Sequence, residues 1–296
     1  MKRRNYLHWR WVLVSLASVA LVGACGHSPT KTKSTGEPAA TIIKSVDMAS
    51  YSFPLDAYSQ TPDQTNNYRH AVAILEQDCM KRFGLALPRV PITSAETAIH
   101  SGLYGVTDMS TAKTDGYHSP YELHPAGQPP PDPTPAELAV LTGSGPANYQ
   151  GAPVPKGGCL GEATSRIDDG APKLAAPGLN QNLEQDAHQR STGDSRVRTA
   201  LTAWSDCMHT NGYNYADPLA AVDDSAFSGP TPSAAEITTA VADVGCKNRT
   251  NLLEIWASVE TAYQNRAIEE NAQELADIKK AVDVEARNAA KIISGK

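Results

Sequence analysis

Two stretches of this chain repeat apolar residues every three or four positions, and both end the same way. Val72, Leu75, Cys79 and Phe83 fall on one helical face, and so do Val197, Leu201, Trp204 and Met208. Asp78-Cys79-Met80 with Gly84 in the first stretch matches Asp206-Cys207-Met208 with Gly212 in the second. Each glycine stands where a helix C-terminus favours a left-handed residue. A later Gly-Cys pair follows in both, Gly158-Cys159 and Gly245-Cys246, so the chain reads as an internal duplication.

Helix starts frame these runs. Thr61-Pro62-Asp63-Gln64 combines an N-cap, a first-turn proline and a capping-box glutamine, and predicts a helix over 62–83. Ser233-Ala234-Ala235-Glu236 is a second capping box, and no proline follows it. From there to Ile293 the pattern predicts up to about 60 helical residues, roughly 90 Å if unbroken, with Gly245 the expected interruption. Leu252, Trp256, Val259 and Tyr263 form one apolar stripe on it. Ile268, Leu275, Val282 and Ala289 continue at intervals of seven, with Ile278 and Ile292 at the second seam position. Such a thin seam suits docking, either on the protein's own body or on a partner. Trp256, Tyr263, Leu275, Ile278 and Val282 are the candidate partner surface. Residues 114–158 read instead as a Pro-rich loop around Pro129-Pro130-Pro131-Asp132-Pro133, with one short helix over Pro135–Thr142. The expected fold class is mainly α, a disulfide-braced helical domain with an internal duplication and a long C-terminal helix.

The N-terminus changes the picture from fold to location. Lys2, Arg3, Arg4 and Arg10 precede an apolar run from Trp11 to Gly23, too short to span a bilayer and of signal-peptide length. Leu21-Val22-Gly23-Ala24-Cys25 reads as a lipobox, with residues 1–24 removed and the Cys25 thiol carrying the lipid. A diacylglyceryl group holds stably where a single acyl chain does not. Arg3-Arg4-Asn5-Tyr6-Leu7 has a twin-arginine look, so either export route is open. The expected organisation is a signal peptide over 1–24 and a lipid anchor with flexible tether over 25–45. A first Cys-helix half over 46–190 and a second over 191–296 follow.

Cleavage would take the formal charge from −6 to −10, because the leader holds four basic residues and no acidic one. An acidic exported chain without basic patches argues against nucleic acid. Beyond Cys25 there are four cysteines, Cys79, Cys159, Cys207 and Cys246, an even set that outside the cytoplasm points to two disulfides. The duplicated order suggests Cys79–Cys159 and Cys207–Cys246. The crossed arrangement, Cys79–Cys207 with Cys159–Cys246, stays open at this point.

Chemical motifs are sparse. His209 follows Cys207 by two residues, which on a helix turns the side chains apart, and an oxidised cysteine attacks nothing. The cysteines lack zinc spacing, and Asp168-Asp169 and Asp223-Asp224 lack EF-hand spacing. Ser110-Thr111-Ala112-Lys113 has the Ser-x-x-Lys form without its partner motifs. One cluster is unusual: Tyr104-Gly105-Val106-Thr107-Asp108, then Gly116-Tyr117-His118. Tyr104, Asp108, Tyr117 and His118 are a candidate pocket, or else a hydrogen-bonded structural knot. No metal, cofactor or catalytic residue is expected.

In order, these segments resemble a family of uncharacterised secreted lipoproteins from actinobacteria. The resemblance rests on the lipobox, Asp78-Cys79-Met80 with Gly84, the Tyr104–Asp108 and Gly116–His118 clusters, and Gly158-Cys159-Leu160-Gly161-Glu162-Ala163. It continues through Cys207-Met208 with Gly212-Tyr213, then Asp243, Cys246, Glu260, Tyr263, Ile268, Glu269 and Asn271. It implies a membrane-tethered, extracytoplasmic protein with a long C-terminal helix, and no known activity. The expected function is a non-catalytic accessory or scaffold protein of the cell envelope, on the outer face of the cytoplasmic membrane. It would be joined to the membrane through the lipid on Cys25 and to an envelope protein partner. The alternative is a lipoprotein that binds a cell-wall fragment or other small molecule.

Overall fold

Thr61 accepts a hydrogen bond from the Gln64 amide while Gln64 reaches back to the Thr61 amide, and the helix α1, Pro62–Arg82, starts there. It belongs to a computed structural model that describes residues 36–87, 100, 102–119, 123 and 131–295. The predicted leader, lipobox and most of the tether lie outside the described residues, as does the proline cluster up to Pro130.

The chain is mainly helical. After α1 come α2 (Met109–Thr114), α3 (Pro135–Thr142), a hairpin of β1 (Asn148–Tyr149) and β2 (Ala152–Pro153), and α4 (Gly158–Ile167). Then follow α5 (Leu179–Thr192), α6 (Ser195–Thr210), α7 (Pro218–Val222), α8 (Ala234–Thr250), α9 (Leu252–Glu270) and α10 (Ala272–Ile293). Two 3-10 turns, Pro54–Tyr58 and Ser225–Phe227, complete the described elements. No described helix is long and apolar enough to cross a membrane. The short helix predicted at Pro135–Thr142 is present with those bounds; the hairpin after it was not foreseen.

The duplication is physical. Gly84 has φ +67° and Gly212 φ +89°. In the first copy the Gly84 amide donates to Lys81 O and the Leu85 amide to Met80 O; in the second, Gly212 donates to His209 O and Tyr213 to Met208 O. Both copies therefore end in the same left-handed cap, which satisfies the last carbonyls. The bridges follow the duplicated order, Cys79–Cys159 tying α1 to α4 and Cys207–Cys246 tying α6 to α8.

The stretch expected to give up to about 60 helical residues is helical but divided into three, the last of which, α10, is the long C-terminal helix. Asn251 adopts φ +52°, ψ +34°, and Asn271 φ −126°, ψ +28°, breaking the run on either side of α9. Asparagine enters the left-handed region more readily than other side-chain-bearing residues. At the second break, Asn271 Nδ2 donates to Ala267 O at 2.7 Å. Gly245, the expected interruption, sits inside α8 without breaking it.

These breaks fold the C-terminal segment onto the body. Trp256, Val259 and Tyr263 of α9 join Trp204 and Met208 of α6 in the largest core cluster. Leu275 and Ile278 of α10 are buried with Leu55, and Val282 packs against them. Ala289 meets Ala71 of α1 and Ile167 of α4. The seam that was the candidate partner surface (Trp256, Tyr263, Leu275, Ile278, Val282) is thus consumed by self-packing, which corrects that reading. The halves interleave as well: α1 lies along α10, and α5 along α9.

The expected tether also ends earlier than 45. Residues 36–46 are docked on α6 and α9. Glu37 accepts from the Ser195 amide and hydroxyl at 2.7 Å each, Pro38 O from Arg196, Gly36 O from Arg266, and the Ile43 amide donates to Ser258 Oγ at 2.8 Å.

Candidate functional site

The four residues of the candidate pocket do not come together; the structural knot is closer to what is seen. Asp108 caps α2, accepting from the Thr111 amide at 2.8 Å and from Ser110 and Thr111 hydroxyls, which also engages the serine of the Ser-x-x-Lys match. These bonds hold its carboxyl below the usual aspartate range. Tyr117 and His118 turn instead to the start of α8. Glu236 Oε1 accepts from the Tyr117 amide at 2.8 Å and faces His118 Nδ1 at 2.7 Å, while His118 Nε2 lies 2.7 Å from Gly229 O. The other oxygen, Glu236 Oε2, accepts from the Ser233 amide at 3.2 Å. Gly116 is required beside them: its φ is +61°, and a Cβ would lie 2.6 Å from Glu236 Oε1.

Below this knot is a buried ion pair. Lys247 Nζ donates to Asp243 Oδ2 at 2.9 Å and to Val106 O at 2.7 Å, and Trp204 Nε1 donates to Asp243 Oδ1 at 2.9 Å. Both charged side chains are fully buried. Burial pushes the Asp243 carboxyl up and the Lys247 ammonium down, each opposed by its partner.

Tyr104 belongs to a different group, which the sequence did not announce. Its hydroxyl donates to Glu260 Oε2 at 2.8 Å, and His188 Nδ1 meets the same oxygen at 2.9 Å. The His188 ring stacks on Trp256 at 5.6 Å and on Tyr104 at 5.9 Å. Alongside, His100 Nε2 sits 2.9 and 3.1 Å from the two Asp56 oxygens and packs edge-on against Phe53. Glu184, one helical turn before His188, accepts from Ser59 Oγ at 3.4 Å. Its carboxyl is pushed up by burial and then by Asp56. Burial and Glu260 hold the Tyr104 phenol well above its normal range. Asp56, His100, Tyr104, Glu184, His188 and Glu260 thus gather three carboxylates, two imidazoles and a phenol from the first 3-10 turn, the 100–104 segment, α5 and α9. The signal that could have pointed here is the four-residue spacing of Glu184 and His188, which places both on one face of α5.

A carboxylate that orients an imidazole is half of a general-base device, yet the bonds seen here tie the rings to their carboxylates as structural clasps. No group of three His, Cys, Asp or Glu among the described residues could hold a metal ion. Asp224, from one acidic pair, serves as a turn cap and accepts from Tyr215. Comparison of the chain with family models, curated proteins and solved structures finds no match.

The His100 clasp carries a pH signature. The hydrogen bond to Asp56 raises the imidazole above its ordinary 6.5, against the opposing effect of burial. A raised imidazole stabilises the fold fully below about pH 6.5 and less as pH climbs through the folded value. The melting temperature of the protein is expected to fall over that interval, and His100→Gln to flatten the fall. Calorimetry of both forms between pH 5.5 and about 8.5 checks it.

Proposed function

We propose that this chain is a lipid-anchored protein of the outer face of the cytoplasmic membrane, working as a non-catalytic accessory or scaffold component of the cell envelope. The observation that carries the reading is the pairing of the cysteines. Of five, four are bridged to one another, and Cys25, directly behind Leu21-Val22-Gly23-Ala24, is the cysteine outside these two bridges. Two bridges suit an oxidising compartment, and the resemblance to secreted actinobacterial lipoproteins points the same way.

Lipidation is directly testable. An alkyne palmitate analogue fed to cells is expected to label the wild-type protein and leave Cys25→Ala unlabelled and released from the membrane fraction. Equal labelling of both forms would sink the anchor. Crosslinking in cells and purification of the labelled protein then identifies the partner.

A second reading, a ligand-binding lipoprotein for a cell-wall fragment, is favoured by the cluster of Asp56, His100, Tyr104, Glu184, His188 and Glu260. Side chains with both donors and acceptors there suit a hydroxyl- and amide-rich ligand. A thermal-shift series with wall fragments on wild type and His188→Ala separates the two readings.

A further inference from the structure

The two disulfides sit in unlike surroundings. Cys79 and Cys159 are both buried, with Val140 of α3 in the same cluster and Leu141 and Tyr149 packed over it. Cys207 is only half-buried, while its partner Cys246 is fully buried. Gly245 stands beside Cys246, and a Cβ added there would meet no atom within 4 Å, whereas one at Gly158, beside Cys159, would collide with the Leu141 carbonyl. Two donors converge on the sulfurs of the second bridge: Asn211 Nδ2 lies 3.7 Å from Cys246 Sγ and 4.0 Å from Cys207 Sγ, and Arg249 Nη2 lies 3.9 Å from Cys246 Sγ.

We infer that Cys207–Cys246 is a thiol-exchange site, taking an extracytoplasmic dithiol as its reaction partner, whereas Cys79–Cys159 is a closed structural bridge. Exchange proceeds by attack of a thiolate on the sulfur it can reach, and faster when the departing thiolate is stabilised. Here the incoming thiolate attacks Cys207 Sγ and forms a mixed disulfide. The Cys207–Cys246 bond breaks, and its electron pair departs on Cys246 Sγ, where the Arg249 guanidinium and the Asn211 amide receive the charge. The second thiolate of the reagent then attacks its own sulfur in the mixed disulfide and frees Cys207. The bridge gains two electrons and two protons; the dithiol loses both and closes to a disulfide.

The fold has a brace for the open state. Two residues from Cys207, Ser205 Oγ donates to Tyr215 O at 2.6 Å, and one turn from the bridge Trp204 still bonds Asp243. Neither bond depends on the disulfide. Opening would therefore leave α6 and α8 packed, with two thiols facing each other across a Cα separation of 5.7 Å.

This inference rests on export of the chain to an oxidising compartment, and the test keeps the two apart. The thiol content of the mature protein, isolated under alkylating conditions, reports on compartment: all four cysteines blocked supports export, and four free thiols would count against it. Exchange is then measured on the oxidised full-length mature protein, whichever way that falls. Dithiothreitol is added without denaturant, thiols are trapped with iodoacetamide at intervals, and the peptides are mapped. Cys207 and Cys246 are expected to be alkylated at least about tenfold faster than Cys79 and Cys159, and Arg249→Ala to slow their opening about three- to tenfold while Arg249→Lys keeps most of the rate. Unchanged far-ultraviolet and tryptophan signals should accompany the first opening. Simultaneous opening of both bridges, prior opening of Cys79–Cys159, or an Arg249→Ala rate equal to wild type would overturn the proposal.

Discussion

Replacing Lys247 by methionine is expected to destabilise the protein by about 3–5 kcal/mol, the typical consequence of stranding one member of a buried ion pair. Lys247 Nζ holds Asp243 Oδ2 at 2.9 Å and Val106 O at 2.7 Å, and neither side chain reaches solvent. In the variant, Asp243 keeps the Trp204 indole but loses its cation, and the Val106 carbonyl loses its donor. The size of the effect should depend on pH. Burial already raises the Asp243 carboxyl above the ordinary 3.8, and without Lys247 the largest opposing influence is gone, with the weaker pull of the Trp204 hydrogen bond remaining. A carboxyl with a raised folded value binds its proton more tightly in the native state, so stability falls as pH rises from about 4 toward that value. The variant should therefore approach wild type in acid and separate from it toward neutrality. Adding Asp243→Asn to Lys247→Met should recover most of the loss, because the amide oxygen still accepts from Trp204 without carrying charge. Urea denaturation of the three proteins at pH 4.5 and about 7.5 measures this. A single-variant loss under about 1 kcal/mol at the higher pH would mean that the pair contributes no more than an exposed one.

That ion pair also shows where sequence reading stops. Asp243 and Lys247 stand four apart on a helix, a spacing as common on solvated faces as in cores, and nothing local tells which. The second acceptor of Lys247, the Val106 carbonyl, comes from 141 residues upstream. The elements themselves were legible because their determinants are local. Thr61 with Gln64, Ser233 with Glu236 and the two Cys-x4-Gly endings act within five residues, and each marks a real helix boundary. The breaks at Asn251 and Asn271 were not legible. Both are asparagines without proline or glycine beside them, and the left-handed turn at Asn251 is selected by the packing it permits, of α9 on α5 and α6. The same folding hid the fate of the apolar seam. A stripe such as Leu275, Ile278 and Val282 states that something covers it; only the turn at Asn271 makes the cover Leu55 and its neighbours. The histidine–carboxylate clasps were missed for a parallel reason. Asp56 with His100, and His188 with Glu260, are 44 and 72 residues apart, and neither pair has a short motif to give it away.

Loss of the Cys79–Cys159 bridge should be the other large effect, and it should be local. In the chain-entropy description a bridge closing 80 residues stabilises by about 4–5 kcal/mol, reduced by whatever structure the unfolded chain retains. Replacing both cysteines by alanine removes the constraint without leaving a buried thiol unpaired. Around this bridge the remaining apolar support is thin: Met80, Phe83 and Val140 are buried there, with Leu85, Leu87, Leu141, Tyr149, Ala152 and Val154 at the margin. The rest of α1 is held independently, Ala71 against Ala289 and Ile167. Hence the double variant should keep the α5–α10 body while α3, the hairpin and the start of α4 open more often. Limited proteolysis is expected to cut within 131–157 in the variant well before wild type, with the fragment spanning α5–α10 surviving, and the melting temperature should drop with it. Equal protection of 131–157 in both proteins would show that side-chain packing alone closes this lobe. Uniform digestion from end to end would show instead that the lobe and the body unfold as one cooperative unit.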